Sequence, residues 1–174
     1  MTDCMLFASL FATYAVLRDA TNGGPSGADI FSLSFVFTET VLLLVSSFVC
    51  GITVFLAQKM HASRRTIAIG LSITALLGLA FIGMELYEFL HLASEGHTWQ
   101  QSAFLSAYFT LVGTHGLHIV AGLLWAGFLL WQLWRQGSGG SFMQRLMMFA
   151  VFWHFLDVVW VFIFSVVYLW GVLI

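Results

Sequence analysis

Acids and imidazoles set inside long apolar runs are the residues of this sequence best able to do chemistry. Glu85, Glu88 and His91 follow one another at three-residue spacing, which aligns them roughly along one face of a helix. His115 and His118 share that spacing in Val-Gly-Thr-His-Gly-Leu-His at 112–118. His154 and Asp157 share it in Trp-His-Phe-Leu-Asp-Val-Val-Trp at 153–160. Asp3 and Glu39 stand singly in two further apolar stretches. Such groups are costly in hydrocarbon unless each finds a partner or a wet cavity. Three chemistries fit them. They can form a buried hydrogen-bonded network that locks helices together, the commonest use of polar groups between membrane helices. His115, His118 and His154 can ligate a metal or a haem, provided they converge and gain a supporting outer shell. The carboxylates can relay protons or line a transport path, with Asp157 orienting His154 or pairing with it when charged. Spacing alone leaves all three open, and none of the patterns is a catalytic constellation.

The elements that must position these groups are membrane helices. Hydrophobic residues make up 60 % of the 174 and charged residues only 8 %, against about 25 % in soluble domains, so lipid must cover most of the surface. A net charge of −2 argues against nucleic acid as a partner. A spanning helix needs about 20 mostly apolar residues, and five stretches are expected to span: residues 1–17, 33–58, 66–92, 102–134 and 146–174. Together they predict an all-α membrane bundle of five transmembrane helices in a single domain. No Asp, Glu, Lys or Arg lies between Glu95 and Arg135, so the fourth stretch is the least ambiguous. The breaks carry turn chemistry, in Asn22-Gly23-Gly24-Pro25-Ser26-Gly27 and in Gly137-Ser138-Gly139-Gly140. Cys4 and Cys50 both lie in apolar segments and give neither a disulfide framework nor a zinc spacing. The N-terminus enters apolar sequence without the basic region of a cleavable signal peptide.

Basic residues set the orientation. Lys59, Arg64, Arg65, Arg135 and Arg145 fall on one side, and Arg18 alone falls on the other, beside Asp19, Asp29 and Glu95. The positive-inside rule then predicts a cytoplasmic N-terminus and an outward-facing C-terminus. Gly113, Gly116, Gly122 and Gly127 in the fourth stretch permit a close backbone approach, so this helix is expected to pack against others. Trp125, Trp131, Trp134 and Trp170 read as interface anchors. Trp153 and Trp160 lie deeper and are expected in helix packing or in a contact with another protein.

The motifs at 112–118 and 153–160, in this order on the last two helices, resemble subunit III of the haem–copper respiratory oxidases. Tyr168-Leu169-Trp170-Gly171 is similar to that family's closing sequence, and Glu85-Leu86-Tyr87-Glu88 to its Glu-x-x-Glu pattern. The resemblance covers essentially the whole chain. Within the family, the stretch from Asp3-Cys4-Met5-Leu6-Phe7-Ala8 through Phe11-Ala12-Thr13-Tyr14 looks like the first helix of the bo-type ubiquinol oxidase branch. Gly23-Gly24-Pro25 with Asp29-Ile30-Phe31, and Phe81-Ile82-Gly83-Met84-Glu85, do so too. Five helices suit that branch, whereas mitochondrial-type subunits carry further helices at the N-terminus. Gln132 departs from the arginine that mitochondrial-type subunits use to hold a lipid phosphate. Asp3 falls where they carry a carbodiimide-reactive glutamate, which implies a buried carboxyl there.

The resemblance implies a non-catalytic subunit of a proton-pumping quinol oxidase in a bacterial inner membrane. Subunit I would lie directly beside it and carry the haems and copper, with subunits II and IV in the same complex. No cofactor is expected in this chain. Membrane phospholipid is the expected ligand, and a lipid-lined cleft would guide oxygen inward. It assigns Asp3, Glu39, Glu85, Glu88, His115, His118, His154 and Asp157 to a structural network. Gly113, Gly116, Gly122, Trp153 and Trp160 are assigned to packing, with no metal. Two competing readings are a cytochrome c oxidase subunit III and, from another class, a small proton-coupled transporter. A membrane carrier of metal or haem is a third.

Overall fold

The structure is a computed structural model that describes residues 2–17, 33–59, 63–94, 103–136 and 139–169. All of its elements are helical: α1 (Thr2–Leu17), α2 (Leu33–Lys59), α3 (Arg64–Ser94), α4 (Ala103–Gln136) and α5 (Gly140–Ile163). The last runs directly into a π-helical turn, Phe164–Leu169. Among the described residues, four spans are long and apolar enough to cross a membrane: Ser34–Lys59, Arg64–Leu92, Ala103–Arg135 and Gly140–Leu169. The remaining described helix, α1, has 16 residues. At about 1.5 Å per residue it covers about 24 Å, short of the roughly 30 Å of hydrocarbon. Arg18, Asp19, Asp29, Glu95 and Trp170, and the turn at 22–27, lie outside the described residues.

Several helices run further into polar sequence than hydropathy alone suggests. The fifth begins at Gly140 and not at 146. Gly139 is extended at its N-cap, Met143 N–H donates to the Gly139 carbonyl at 3.1 Å, and Phe142 and Leu146 are already buried. Burial of that first turn outweighs the lack of apolar sequence at 140–141. In α3, Ser63 caps the start. Its Oγ accepts from Thr66 N–H at 3.3 Å, and its carbonyl accepts from Ile67 N–H at 3.2 Å.

Helices α2 to α5 form a ring, each packed on the next and α2 closing against α5, while α1 packs mainly on α4. At the ring's centre lies the Trp153 indole. A Cβ on Gly78 of α3 would come within 2.8 Å of it, and so would a Cβ on Gly122 of α4. Small residues on two facing helices therefore make the space for one large ring. Trp153 Nε1 donates to Ser46 Oγ at 3.0 Å, and Ser46 Oγ donates to the Thr74 carbonyl at 3.1 Å, tying α5, α2 and α3 together. Gly70 likewise faces Thr53, with no room for a Cβ between α2 and α3.

Candidate functional site

The polar groups sort into three places. One lies inside the ring, toward the end of the bundle where α3 finishes and α5 becomes the π-turn. Here Glu85 is almost wholly buried, and its carboxyl rests against α4 where a Cβ on Gly116 would come within 2.6 Å. One turn on, Glu88 Oε2 accepts from Tyr168 Oη at 3.1 Å, and the Tyr168 and Tyr108 hydroxyls share a hydrogen bond of 2.9 Å. Both tyrosines are fully buried. The π-turn delivers Tyr168 to this point, and Tyr108 reaches it from α4, one heptad before His115 and so on the same face.

His115 and Glu39 complete the interior set, each with no exposed surface. The His115 ring stacks on Trp160 with centroids 5.2 Å apart and meets the Phe81 edge at 6.0 Å. Trp160 Nε1 in turn donates to Thr40 Oγ1 at 3.1 Å, and Thr40 Oγ1 donates to the Val36 carbonyl at 2.9 Å. Both Glu39 oxygens, Glu85 Oε2 and both His115 nitrogens have no hydrogen-bond partner among the described residues. Aromatic rings therefore wall the imidazole on several sides. Trp153 and Trp160 are enclosed in the bundle, so the contacts they make are between helices of this chain.

The second place lies between α1 and α4. His118 Nε2 is 3.7 Å from Asp3 Oδ1, its Nδ1 is 2.8 Å from the Thr114 carbonyl, and the Phe7 ring packs on it at 5.2 Å. Asp3 is about half-exposed in this chain and stands at the edge of a groove lined by Cys4, Trp125, Met147, Val151 and Phe152. The third place is the outside of α5. His154 is exposed and lies over Gly51 of α2, with a ring nitrogen 3.7 Å from where that Cβ would be. Asp157 is half-buried beside it and next to Ser47, and neither its Oδ1 nor the Ser47 hydroxyl has a partner of good hydrogen-bond geometry among the described residues.

His115, His118 and His154 thus face the ring interior, α1 and the outer surface in turn. Among the described residues no three His, Cys, Asp or Glu side chains gather to hold a metal ion. Of the glycines, Gly116 and Gly122 sit at close approaches, Gly113 is in ordinary contact with Phe89, and Gly127 faces open space. Gln132 is buried and its Oε1 accepts from Arg145 Nη1 at 3.1 Å. Tyr108, Thr40 and Gly78 are the site residues that motif reading missed. The seven-residue interval from Tyr108 to His115 is the signal that would have found the first.

The fold and site define a multi-spanning membrane protein whose interior holds Glu88 hydrogen-bonded to Tyr168 and an imidazole, His115, walled by aromatic rings. The chain belongs to the cytochrome c oxidase subunit III family, whose pattern matches residues 1–172. It is 56 % identical over 173 residues to the cytochrome bo(3) ubiquinol oxidase subunit 3 of Pseudomonas aeruginosa, covering 99 % of this chain and 82 % of that protein. To the protein of the same name in Pseudomonas putida it is 52 % identical, over 99 % of this chain and 83 % of that protein. With the cytochrome c oxidase subunit 3 of Bacillus sp. strain PS3 it shares 45 % identity, over 97 % of this chain and 81 % of that protein.

Proposed function

We propose that this chain is the non-catalytic subunit III of a bo-type ubiquinol oxidase, crossing a bacterial inner membrane five times with its N-terminus in the cytoplasm. The observation that carries the reading is 56 % identity along almost the whole chain to a ubiquinol oxidase subunit 3. On this reading the haems and copper belong to subunit I alongside, with subunits II and IV completing the complex. The chain's own work is mechanical. Glu85 and Glu88, held by Gly116, Tyr168 and Tyr108, and His115, held by Trp160, fix the register of α3, α4 and α5 and perform no electron transfer. A rigid bundle of this kind stabilises the catalytic subunit against inactivation. Membrane phospholipid as a ligand, and a lipid-lined path that guides dissolved oxygen inward, belong to the same reading.

Purification of the chain with its neighbours should give a complex with a haem spectrum that consumes oxygen with ubiquinol as donor. The chain purified alone should bind no haem. A stoichiometric haem on the lone chain would overturn the proposal. The 45 % identity to a cytochrome c oxidase subunit 3 supports one second reading, in which the donor is cytochrome c. Oxygen uptake driven by reduced cytochrome c but not by ubiquinol would select it.

A further inference from the structure

His154 stands at the middle of the Gly140–Leu169 span, and Ser47 at the middle of Ser34–Lys59, so both lie near the centre of the bilayer. Yet His154 is exposed, with Asp157, its acidic neighbour on the same helix, half-buried beside it. Around it lies a shallow pit of about 390 Å³, lined by Ser47, Phe48, Gly51, Ile52, Phe55 and His154. Gly51 forms the pit's floor because a side chain there would fill the space beside the imidazole. Close by, the Ser47 hydroxyl and Asp157 Oδ1 have no partner of good hydrogen-bond geometry among the described residues.

The outward faces of α3, and of α4 away from α1, differ, while at the α1/α4 seam Asp3 and His118 face each other. At the same depth, α3 presents Ile73, Leu76 and Leu79, and α4 presents Leu117, Val120 and Leu124, with no ionisable residue among them. Lipid tails can cover those two faces at no polar cost. They cannot satisfy an imidazole, a hydroxyl and a carboxyl edge at the centre of the bilayer, where a polar group faces protein or a wet cavity.

We infer that the α2/α5 face centred on His154, Ser47 and Gly51 is the docking surface for a transmembrane helix of the haem-bearing subunit. That helix carries, at mid-membrane depth, a side chain able to hydrogen-bond the imidazole. The inference rests on the subunit reading above and adds to it which face is turned inward and what chemistry meets it. The α3 and α4 outer faces are correspondingly the lipid-facing ones.

The test uses the intact complex in its own membranes. A benzophenone-bearing phenylalanine analogue replaces Phe48 or Phe55 at the pit rim, or Leu76 or Leu117 for comparison, and is then irradiated. Adducts with the haem-bearing subunit are expected from positions 48 and 55, and adducts with lipid from 76 and 117. Lipid adducts alone from 48 and 55, in membranes whose purified complex still shows haem, would overturn the docking face while leaving the subunit assignment intact. An adduct with a protein that holds no haem would overturn the choice of partner. A bulky analogue can block assembly, so His154→Leu and His154→Gln form a second arm. Loss of the chain from the purified complex is expected for the first and retention for the second. Equal retention of both would contradict the inference.

Discussion

Gly122→Ala adds one methyl group at the centre of the ring, and its effect can be worked out from the contacts there. The new Cβ would lie 2.8 Å from Trp153 Cζ3, 3.0 Å from Cε3 and 3.2 Å from Phe152 Cε1. Ordinary carbon contacts begin near 3.5 Å, so the indole must retreat by about 0.7 Å. It has nowhere to go. Its far edge is already against Gly78, where a Cβ would be 2.8 Å from Cη2, and its Nε1 is held to Ser46 at 3.0 Å. Overpacking of this kind costs about 1–3 kcal/mol, and loss of the indole hydrogen bond adds about 1 kcal/mol. Gly127→Ala on the same helix is the control, because a Cβ there meets nothing within 4 Å. It should be neutral or gain up to about 1 kcal/mol of helix propensity. Denaturant titration or thermal dissociation of the purified complex should separate the two variants by about 2–4 kcal/mol. Even 2 kcal/mol multiplies the unfolded or dissociated fraction on the order of thirtyfold. A second variant, Trp153→Phe, should reduce the penalty of Gly122→Ala, giving a coupling energy of at least about 0.5 kcal/mol. Equal stability of the Gly122 and Gly127 variants would refute the packing argument.

Tyr168→Phe removes the hydroxyl that donates to Glu88 and is shared with Tyr108, and should lower thermal stability by about 1–3 kcal/mol while leaving the haem spectrum of the complex unchanged. An unshifted melting profile would count against a structural role for that chain of hydrogen bonds. Asp157→Leu should reduce the yield of assembled complex more than the turnover of complex already assembled, because it removes the half-buried carboxyl from the polar cluster it forms with His154 and Ser47 on the α2/α5 face. Normal yield with lost turnover would show the reverse. Arg145→Ala should remove one hydrogen bond to the buried Gln132 amide oxygen and destabilise the end of α4 and α5 where the two residues meet by about 1 kcal/mol, read by limited proteolysis of the connection between them. Unchanged cleavage would contradict it.

Much of this architecture is legible in the sequence because the bilayer leaves few solutions. Long apolar runs must be helical, and runs such as the one that holds Leu111 to Trp134 show themselves by the absence of charge. Helix ends are less legible. Gly140 and Ser141 start α5 because Phe142 is buried, a tertiary fact that composition does not carry. The i, i+3 spacing of His115 and His118 suggests a shared face, yet 300° of helical rotation is enough to turn one ring inward to Trp160 and the other to Asp3 on α1. His154 and Asp157 show the same divergence, the first exposed and the second half-buried. Gly116 and Gly122 could be read as close approaches, but their partners, Glu85 and Trp153, come from other helices and emerge only once the ring closes. Tyr108 hides because tyrosine in an apolar run looks like ordinary packing until Tyr168 arrives beside it.

The central claim is that this chain's acids and imidazoles hold a bundle together and bind no redox centre. Haem and copper content per catalytic subunit, measured before and after this chain is stripped from the purified oxidase with detergent, tests it directly. The account predicts that the metal and haem ratios stay constant while the stripped enzyme loses activity sooner during turnover. A fall of one haem or one copper per catalytic subunit when the chain leaves would contradict it.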